Sequence, residues 1–244
     1  MRTFIFLALV LGLTAAPLAA SATELTTRDV IETLSRSTPQ DPADFSGKDL
    51  KFLDLSDLDF SRADLSGADL RSANLTGANF TEANLSGSNL TRAIVIRADF
   101  TSADLSNANI YRPVTYTSFE SAASEMPSFK GAKLSAARLV ATFIHADFSG
   151  ADFSNAKMEM RREDLFMATE IWWSNLTGAN FSNANLSGMV FATSDLSGAD
   201  LTSANLTQTR IFRCDLTGAN LAGANIAEAD LKDTRITGSI TSFP

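Results

Sequence analysis

The stretch ADLSGADL at residues 63–70 reads one five-residue unit almost twice, and it continues as ANLTGANF at residues 73–80. Across residues 45–110 every fifth residue is a large apolar one, here called the core position, and there are 14 of them. Ala lies two residues before the core position in 10 units, and Asp or Asn lies directly before it, at the outer position, in 13. A second run of 14 units, residues 171–236, again has apolar residues at every core position. A fixed period of this kind indicates a repeat architecture.

The period of five excludes a continuous helix or strand. Residues five apart in a helix are turned by about 140°, so the core positions would spread around the axis. In a flat strand, alternate core positions would point to opposite faces, and half of them would be in water. The core positions share one interior only if the chain turns a corner once per unit, with polar residues and Gly making the turns.

The spacing of the phenylalanines indicates how many sides the coil has. Phe60, Phe80 and Phe100 are four units apart, and most core positions between them are Leu. Four sides per coil would stack these three rings in one column, at about the 4.8 Å spacing of paired strands. The sequence therefore predicts a square tube with a dry apolar interior.

The A(D/N)LxX units resemble those of the pentapeptide-repeat family over about residues 43–110, 132–158 and 171–236. The resemblance implies an all-β solenoid, a right-handed quadrilateral β-helix, at about residues 43–236. Two segments break the repeat, at about residues 111–131 and 159–170, and residues 237–244 form a tail that includes Ile240 and Phe243. Within the middle stretch the step from Ile144 to Phe148 is four residues, which suggests a deletion at one corner.

The first 22 residues have the pattern of a secretory signal peptide. Arg2 gives a positive start, residues 4–13 are apolar, and Ala20-Ser21-Ala22 forms a small-residue cleavage motif. The apolar run is too short to span a membrane. We therefore expect an exported protein, periplasmic or in a thylakoid lumen or outside the cell, after cleavage near Ala22.

Residues 23–42 precede the repeats and are predicted to be an N-terminal cap and linker. Asp29 followed by Glu32 resembles a capping box, and Val30, Ile31 and Leu34 give a short apolar stripe. A short helix here would cover the open end of the first coil, where strand edges are otherwise unpaired.

Catalytic and metal-binding patterns are not found in the sequence. His145 is the only histidine, which excludes a His-based triad and a His-rich metal site. The Asp residues recur at one repeat position, where turn and surface chemistry explains them. Cys214, the only cysteine, lies two residues before a core position and is predicted to be a buried thiol in place of Ala. We expect no enzyme activity, no cofactor and no metal.

The net charge is −8, and it becomes −9 without the predicted signal peptide because Arg2 is the only charged residue there. Such an acidic chain is a poor partner for nucleic acids. Aromatic residues collect in or beside the two interruptions, together with two arginines, and such residues are enriched at protein interfaces. The candidate partner-binding residues are Tyr111, Tyr116, Arg161, Arg162, Trp172 and Trp173. The alternative interpretation is that loops collect residues that the tube cannot hold.

The sequence thus predicts a non-enzymatic, exported structural or interaction protein with an unknown protein partner in the cell envelope. The resemblance implies an alternative, because some pentapeptide-repeat proteins resemble a DNA duplex in width and acidity, dimerise end to end, bind DNA gyrase and confer quinolone resistance. The acidity fits that alternative, whereas the signal peptide argues against it because gyrase is cytoplasmic. An end-to-end homodimer is a further expectation.

Overall fold

The computed structural model of the chain describes residues 25–118, 125–159 and 168–238. The predicted signal peptide, residues 1–22, lies outside the described residues, as do Ile240 and Phe243 of the tail. No helix within the described ranges is long and apolar enough to cross a bilayer.

Parallel bridges between successive coils define the architecture. In the first two coils they join Asp44 to Asp64, Asp49 to Asp69, Asp54 to Asn74 and Asp59 to Asn79, and each pair is 20 residues apart. The four pairs belong to four different sides, here called the first, second, third and fourth face in that order. The bridges continue along each face through nine coils of described residues, ending at Asn220, Asn225, Asp230 and Arg235. The predicted right-handed quadrilateral β-helix is confirmed.

Most coils are held by single bridges, but two faces carry short parallel strands of three residues. On the second face β1 (Asn109–Tyr111) pairs with β2 (Arg138–Val140). The third face has a four-stranded sheet, made of β3 (Thr142–Ile144), β4 (Glu170–Trp172), β5 (Val190–Ala192) and β6 (Arg210–Phe212).

The predicted phenylalanine column lies on the fourth face. The rings of Phe60, Phe80 and Phe100 are stacked with centroids 5.0 Å apart and planes within 10° of parallel. The column continues through Phe129 and Phe148 at 4.9 and 5.0 Å. Core residues and the small residues beside them are almost fully buried, which gives one continuous apolar interior.

Each corner is made by two turn residues that follow the core position. After Leu65, the Ala68 N–H donates to the Leu65 carbonyl at 3.0 Å and closes the turn. The Asp64 carboxylate accepts from the Ser66 N–H at 2.8 Å. Gly67, the second turn residue, has a φ of +65°, which explains why Gly and Asn recur at this position.

Helix α1 (Thr27–Arg36) covers the first coil, as predicted. Val30 is fully buried, and the Thr27 hydroxyl donates to the Asp54 carbonyl of the third face at 3.0 Å. The predicted capping box is wrong by one turn, because Thr26 is the N-cap and Asp29 is the residue whose carboxylate returns to the Thr26 N–H at 2.8 Å. Asp29 is thus the third helical residue, and Glu32 has no capping role.

The four-residue step lies one unit earlier than the sequence suggested. Phe143, and not Ile144, occupies the core position, because β3 pairs with β4 in a register that sets Phe143 opposite Ile171. The short step therefore runs from Leu139 to Phe143, and the step from there to Phe148 is an ordinary five residues. Both candidates are apolar and buried, so only strand register distinguishes them.

The two interruptions leave the coil at different corners. Thr115 occupies a core position on the third face, and the tube resumes at Ser128, which bridges to Asp99, and Phe129, inside the predicted interruption at 111–131. The second excursion leaves after Met158 on the second face and returns on the third. Thr169 is buried there, and its hydroxyl donates to the Leu139 carbonyl at 3.0 Å.

Candidate functional site

The third face departs from the repeat pattern over six consecutive coils. On the other three faces together, only five of 27 outer positions are not Asp or Asn. On the third face the outer positions of coils 3 to 8 are Ile94, Val114, Thr142, Glu170, Val190 and Arg210. Because the outer side chain contributes little to the core, this run of substitutions changes the surface and leaves the tube intact.

The first turn position on the same face is equally unusual. Elsewhere it is mostly Ser or Thr, whose N–H caps the outer Asp or Asn. In coils 3 to 8 of the third face it is Ile96, Tyr116, Ile144, Trp172, Ala192 and Phe212. These residues and the six outer residues are here called the third-face surface.

An aromatic cluster lies at the corner between the third and fourth faces. The Trp172 ring meets Phe212 edge-on, with centroids 5.6 Å apart, across the small Ala192. Trp173 is 5.6 Å from Trp172, and His145 stacks on it at 5.5 Å with the planes 20° apart. The Trp172 indole N–H donates to the Glu170 carboxylate at 3.1 Å, and Trp173 remains 45% exposed.

The backbone at this corner is open in coils 5 to 8, which positions the cluster. The Ala146 N–H donates to the Ser174 hydroxyl at 3.1 Å, and the Ser174 N–H donates to the Ser194 hydroxyl at 3.1 Å, in place of the usual turn bond. The Ser194 hydroxyl donates in turn to the Ala192 carbonyl at 2.9 Å. Polar small residues therefore replace Ala here, and the wider corner gives the three-residue strands β3 to β6.

Cys214 continues this column of small residues, as predicted for a buried thiol. Its side chain is 3% exposed, and the thiol donates to the Phe212 carbonyl at 3.4 Å. Burial raises the pKa of the Cys214 thiol to about 11. The thiol is therefore protonated at neutral pH and is a poor nucleophile.

The predicted site residues fall in two places. Trp172 and Trp173 form the aromatic cluster together with His145 and Phe212, which the sequence interpretation did not include. Tyr111 lies on the other edge of the third face, with the Arg138 guanidinium 4.6 Å from its ring centroid. Tyr116 belongs to the third-face surface beside Val114, while Arg161 and Arg162 lie outside the described residues.

His145 and Phe212 were detectable in the sequence only after the coils are aligned. Both occupy turn positions, where the repeat has Ser, Thr, Gly or Asn, so each is an exception to the pattern. Within the described ranges no group of three or more His, Cys, Asp and Glu residues is arranged to hold a metal ion. What the arrangement offers chemically is contact surface: exposed aromatic rings, aliphatic side chains and arginines.

Comparison with protein families gives one match. The model for pentapeptide repeats matches eight copies, at residues 43–81, 78–112, 128–159, 174–211 and 213–240, which is more than half of the chain. No curated protein sequence matches the chain.

Among solved structures, the chain is similar to HetL, a pentapeptide repeat protein involved in heterocyst differentiation regulation in the cyanobacterium Nostoc sp. strain PCC 7120. The identity is 24% over 88% of this chain and 96% of HetL, with a TM-score of 0.57, so the two share a fold. A pentapeptide repeat protein of the Arabidopsis thaliana thylakoid lumen is 28% identical over 49% of this chain and 70% of its own, with a TM-score of 0.27. QnrB1, a plasmid-mediated fluoroquinolone resistance protein, is 22% identical over 74% of this chain and 83% of its own, with a TM-score of 0.31.

Proposed function

The chain belongs to the pentapeptide-repeat family, and from that premise we propose that it is a non-enzymatic, exported interaction protein that binds a protein partner in the cell envelope. The tube itself supplies rigidity, because its interior is filled and its faces are tied by a bridge at every coil. Its partner-binding residues are Tyr111, Tyr116, Arg161, Arg162, Trp172 and Trp173.

The third-face surface is the observation that carries this proposal. Its outer and turn residues are apolar or aromatic over six coils, although the same positions on other faces are Asp, Asn, Ser and Thr. Val114 and Trp173 are 43% and 45% exposed, and large apolar side chains in water mark contact sites when they occur together. Tyr, Trp and Arg are the residue types that dominate the energetics of protein interfaces.

Export is supported by the sequence of residues 1–22 and is tested by fractionation. A C-terminally tagged chain expressed in its natural host is expected in the exported fraction, shortened at its N-terminus near Ala22. Mass spectrometry of the intact protein measures the cleavage site. A chain that keeps residues 1–22 and stays in the cytoplasm would refute the export proposal.

Interaction at the third face is tested by photo-cross-linking in cells. A benzoylphenylalanine at position 173 is expected to form adducts with an envelope protein on irradiation, because this side chain is exposed in the aromatic cluster. The matched control is position 52, where Phe52 occupies the same second turn position with φ of +62° and is 71% exposed. Equal adduct formation at both positions, or none at position 173, would contradict the proposal.

DNA mimicry is the second candidate function, and rows of carboxylates on two faces favour it. The first face carries Asp44, Asp64, Asp104, Asp152 and Asp200 along one line of outer positions. Added to a gyrase supercoiling assay with a quinolone, the purified chain would restore supercoiling if it acts in this way. Unchanged inhibition would exclude this function and leave the interaction proposal as it stands.

An end-to-end homodimer is proposed from the last described coil. Ile236 is 49% exposed there, and Ile226 and Leu231 are only half-buried, unlike core residues of the inner coils. Sedimentation velocity is expected to give a dimer, and Ile236→Lys is expected to give a monomer. A monomeric unmodified chain would refute this arrangement.

A further inference from the structure

The arginines of the coils divide into two groups by their partners. Four of them make ion pairs within 4 Å: Arg62 with Glu82, Arg71 with Asp69, Arg97 with Asp57 and Arg235 with Asp215. Four others are exposed and have no ion pair among the described residues: Arg92, Arg112, Arg210 and Arg213. The chain as a whole has 28 acidic residues against 20 basic ones, so partners for these arginines are not scarce overall.

All four unpaired arginines border the third face. Arg92 and Arg112 occupy the second turn position of adjacent coils at the edge between the second and third faces, about 4.8 Å apart along the axis. Arg210 is an outer residue of the third face itself, and Arg213 follows Phe212 at the opposite edge. Like charges at neighbouring positions are mildly unfavourable in the isolated chain, which makes a structural reason for this arrangement weak.

We infer that the third-face surface binds a protein segment in which carboxylates alternate with apolar side chains. This inference rests on the proposed interaction function and names the surface and the chemistry of the partner. The apolar side chains of the segment contact Val114, Ile144 and the aromatic cluster. Its carboxylates bind the unpaired guanidiniums, in the geometry that Arg and carboxylate share.

The length of the surface sets the length of the segment. From Ile94 in coil 3 to Arg210 in coil 8 there are five coil steps, or about 24 Å. An extended chain covers about 3.4 Å per residue, so about seven residues span the surface. An interface of that size is small, and we expect an affinity in the micromolar range.

Charge distribution argues for a protein segment over a second copy of this chain. A second copy supplies carboxylates only from its first, second and fourth faces, whose outer residues are all polar or charged. Those faces have nothing apolar to cover Val114 or Trp173. Two third faces in contact would oppose arginine to arginine.

Polyanions are disfavoured by the width of the tube. A nucleic acid or an anionic membrane extends past the edges of the third face and meets the Asp rows of the fourth face, such as Asp99, Asp147 and Asp195. Repulsion from these rows offsets the attraction of the four arginines. A narrow peptide avoids them.

Selection from a library of random dodecapeptides on phage, with the purified chain immobilised, tests the inference. We expect enriched peptides in which Asp or Glu lies next to Leu, Ile, Phe or Trp. Binding of a selected synthetic peptide should weaken about tenfold or more when Arg112, Arg210 and Arg213 are changed to Glu together. Trp173→Ala should weaken the same peptide by a similar factor.

Matched controls separate the surface from general charge and folding effects. Arg28, Lys48 and Lys130 are exposed and lie away from the third face, so their joint change to Glu shifts the net charge equally and should leave binding unchanged. Phe52→Ala removes an exposed aromatic residue in the first coil and should also have no effect. Circular dichroism checks that every variant retains the fold of the unmodified chain.

Several results would overturn the inference. They are enrichment of basic peptides, absence of enrichment, or a peptide whose binding survives both the arginine and the Trp173 changes. Binding of phosphatidylglycerol vesicles, of a DNA duplex or of a second copy through these arginines, without peptide binding, would assign another occupant. If position 173 still cross-links to an envelope protein in cells, the interaction function stands and only the acidic-segment inference fails.

Discussion

Two buried serines at the same repeat position are expected to respond in opposite ways to replacement by Ala. Ser194 is 4% exposed, and its hydroxyl accepts from the Ser174 N–H at 3.1 Å and donates to the Ala192 carbonyl at 2.9 Å. Ser88 is fully buried, but its hydroxyl has no partner among the described residues, because the Ser88 N–H already closes its turn on the Leu85 carbonyl at 3.1 Å.

The expected magnitudes follow from what each substitution leaves behind. Ser194→Ala removes the only acceptor given for the Ser174 N–H and strands a buried donor, which costs about 1–3 kcal/mol of unfolding free energy. Ser88→Ala removes a buried hydroxyl that makes no bond, so the unfolding free energy stays the same or rises by up to about 1 kcal/mol. Ala is the residue that most units have at this position, so neither change strains the backbone.

Urea unfolding followed by far-ultraviolet circular dichroism measures both variants against the unmodified chain. Because repeat proteins can unfold in parts, hydrogen exchange of the Ser174 amide gives a local second measurement. It should accelerate in Ser194→Ala and stay unchanged in Ser88→Ala. Equal destabilisation by the two substitutions, or an unaffected Ser194→Ala protein, would show that the hydroxyl does not replace the turn bond at the open corner.

Three other outcomes are expected. Phe100→Ala, in the centre of the stacked column, should lower the unfolding free energy by about 3–5 kcal/mol, whereas Phe52→Ala at an exposed turn should change it by less than about 0.5 kcal/mol in the same urea titration. The pKa values of Asp44 and Asp54 lie below the ordinary range, chiefly because Ser46 and Ser56 hydrogen-bond their carboxylates. These groups therefore stabilise the fold above about pH 4 and stop doing so as the pH falls through their folded pKa values, and a melting temperature that did not drop in acid would contradict this. Cys214 should react with a disulfide reagent at pH 8 only in denaturant, and rapid labelling of the native chain would refute its burial.

The period of five was sufficient to predict the number of faces, the parallel stacking and the phenylalanine column. These follow from two local facts, that the core position recurs at a corner and that Phe60, Phe80 and Phe100 are one coil apart. The place of the short step could not be found in the same way. Phe143 and Ile144 are both apolar, and only the pairing of β3 with β4 shows which one points inward.

The third-face surface was present in the sequence but not legible as one face. Ile94 was visible as a single exception, and Val190 and Arg210 as others in the second run. Assigning all of them to one face requires knowing that Thr115 fills a core position and that the chain re-enters at Ser128 and Thr169. A polar residue at a core position and excursions of unequal length hide that phase from any count of periods.

The fourth-face column passes from Phe100 to Phe129 with the rings 4.9 Å apart, although 29 residues separate them instead of 20. The pitch of the tube is therefore independent of the length of chain spent outside it. At that corner the protein tolerates a change of loop length without any shift of the coils above or below, since closing a longer loop costs only a small additional entropy. For an engineer, the junction between Thr115 and Ser128 is accordingly a socket, into which a foreign peptide can be placed while the stack that carries it keeps its register.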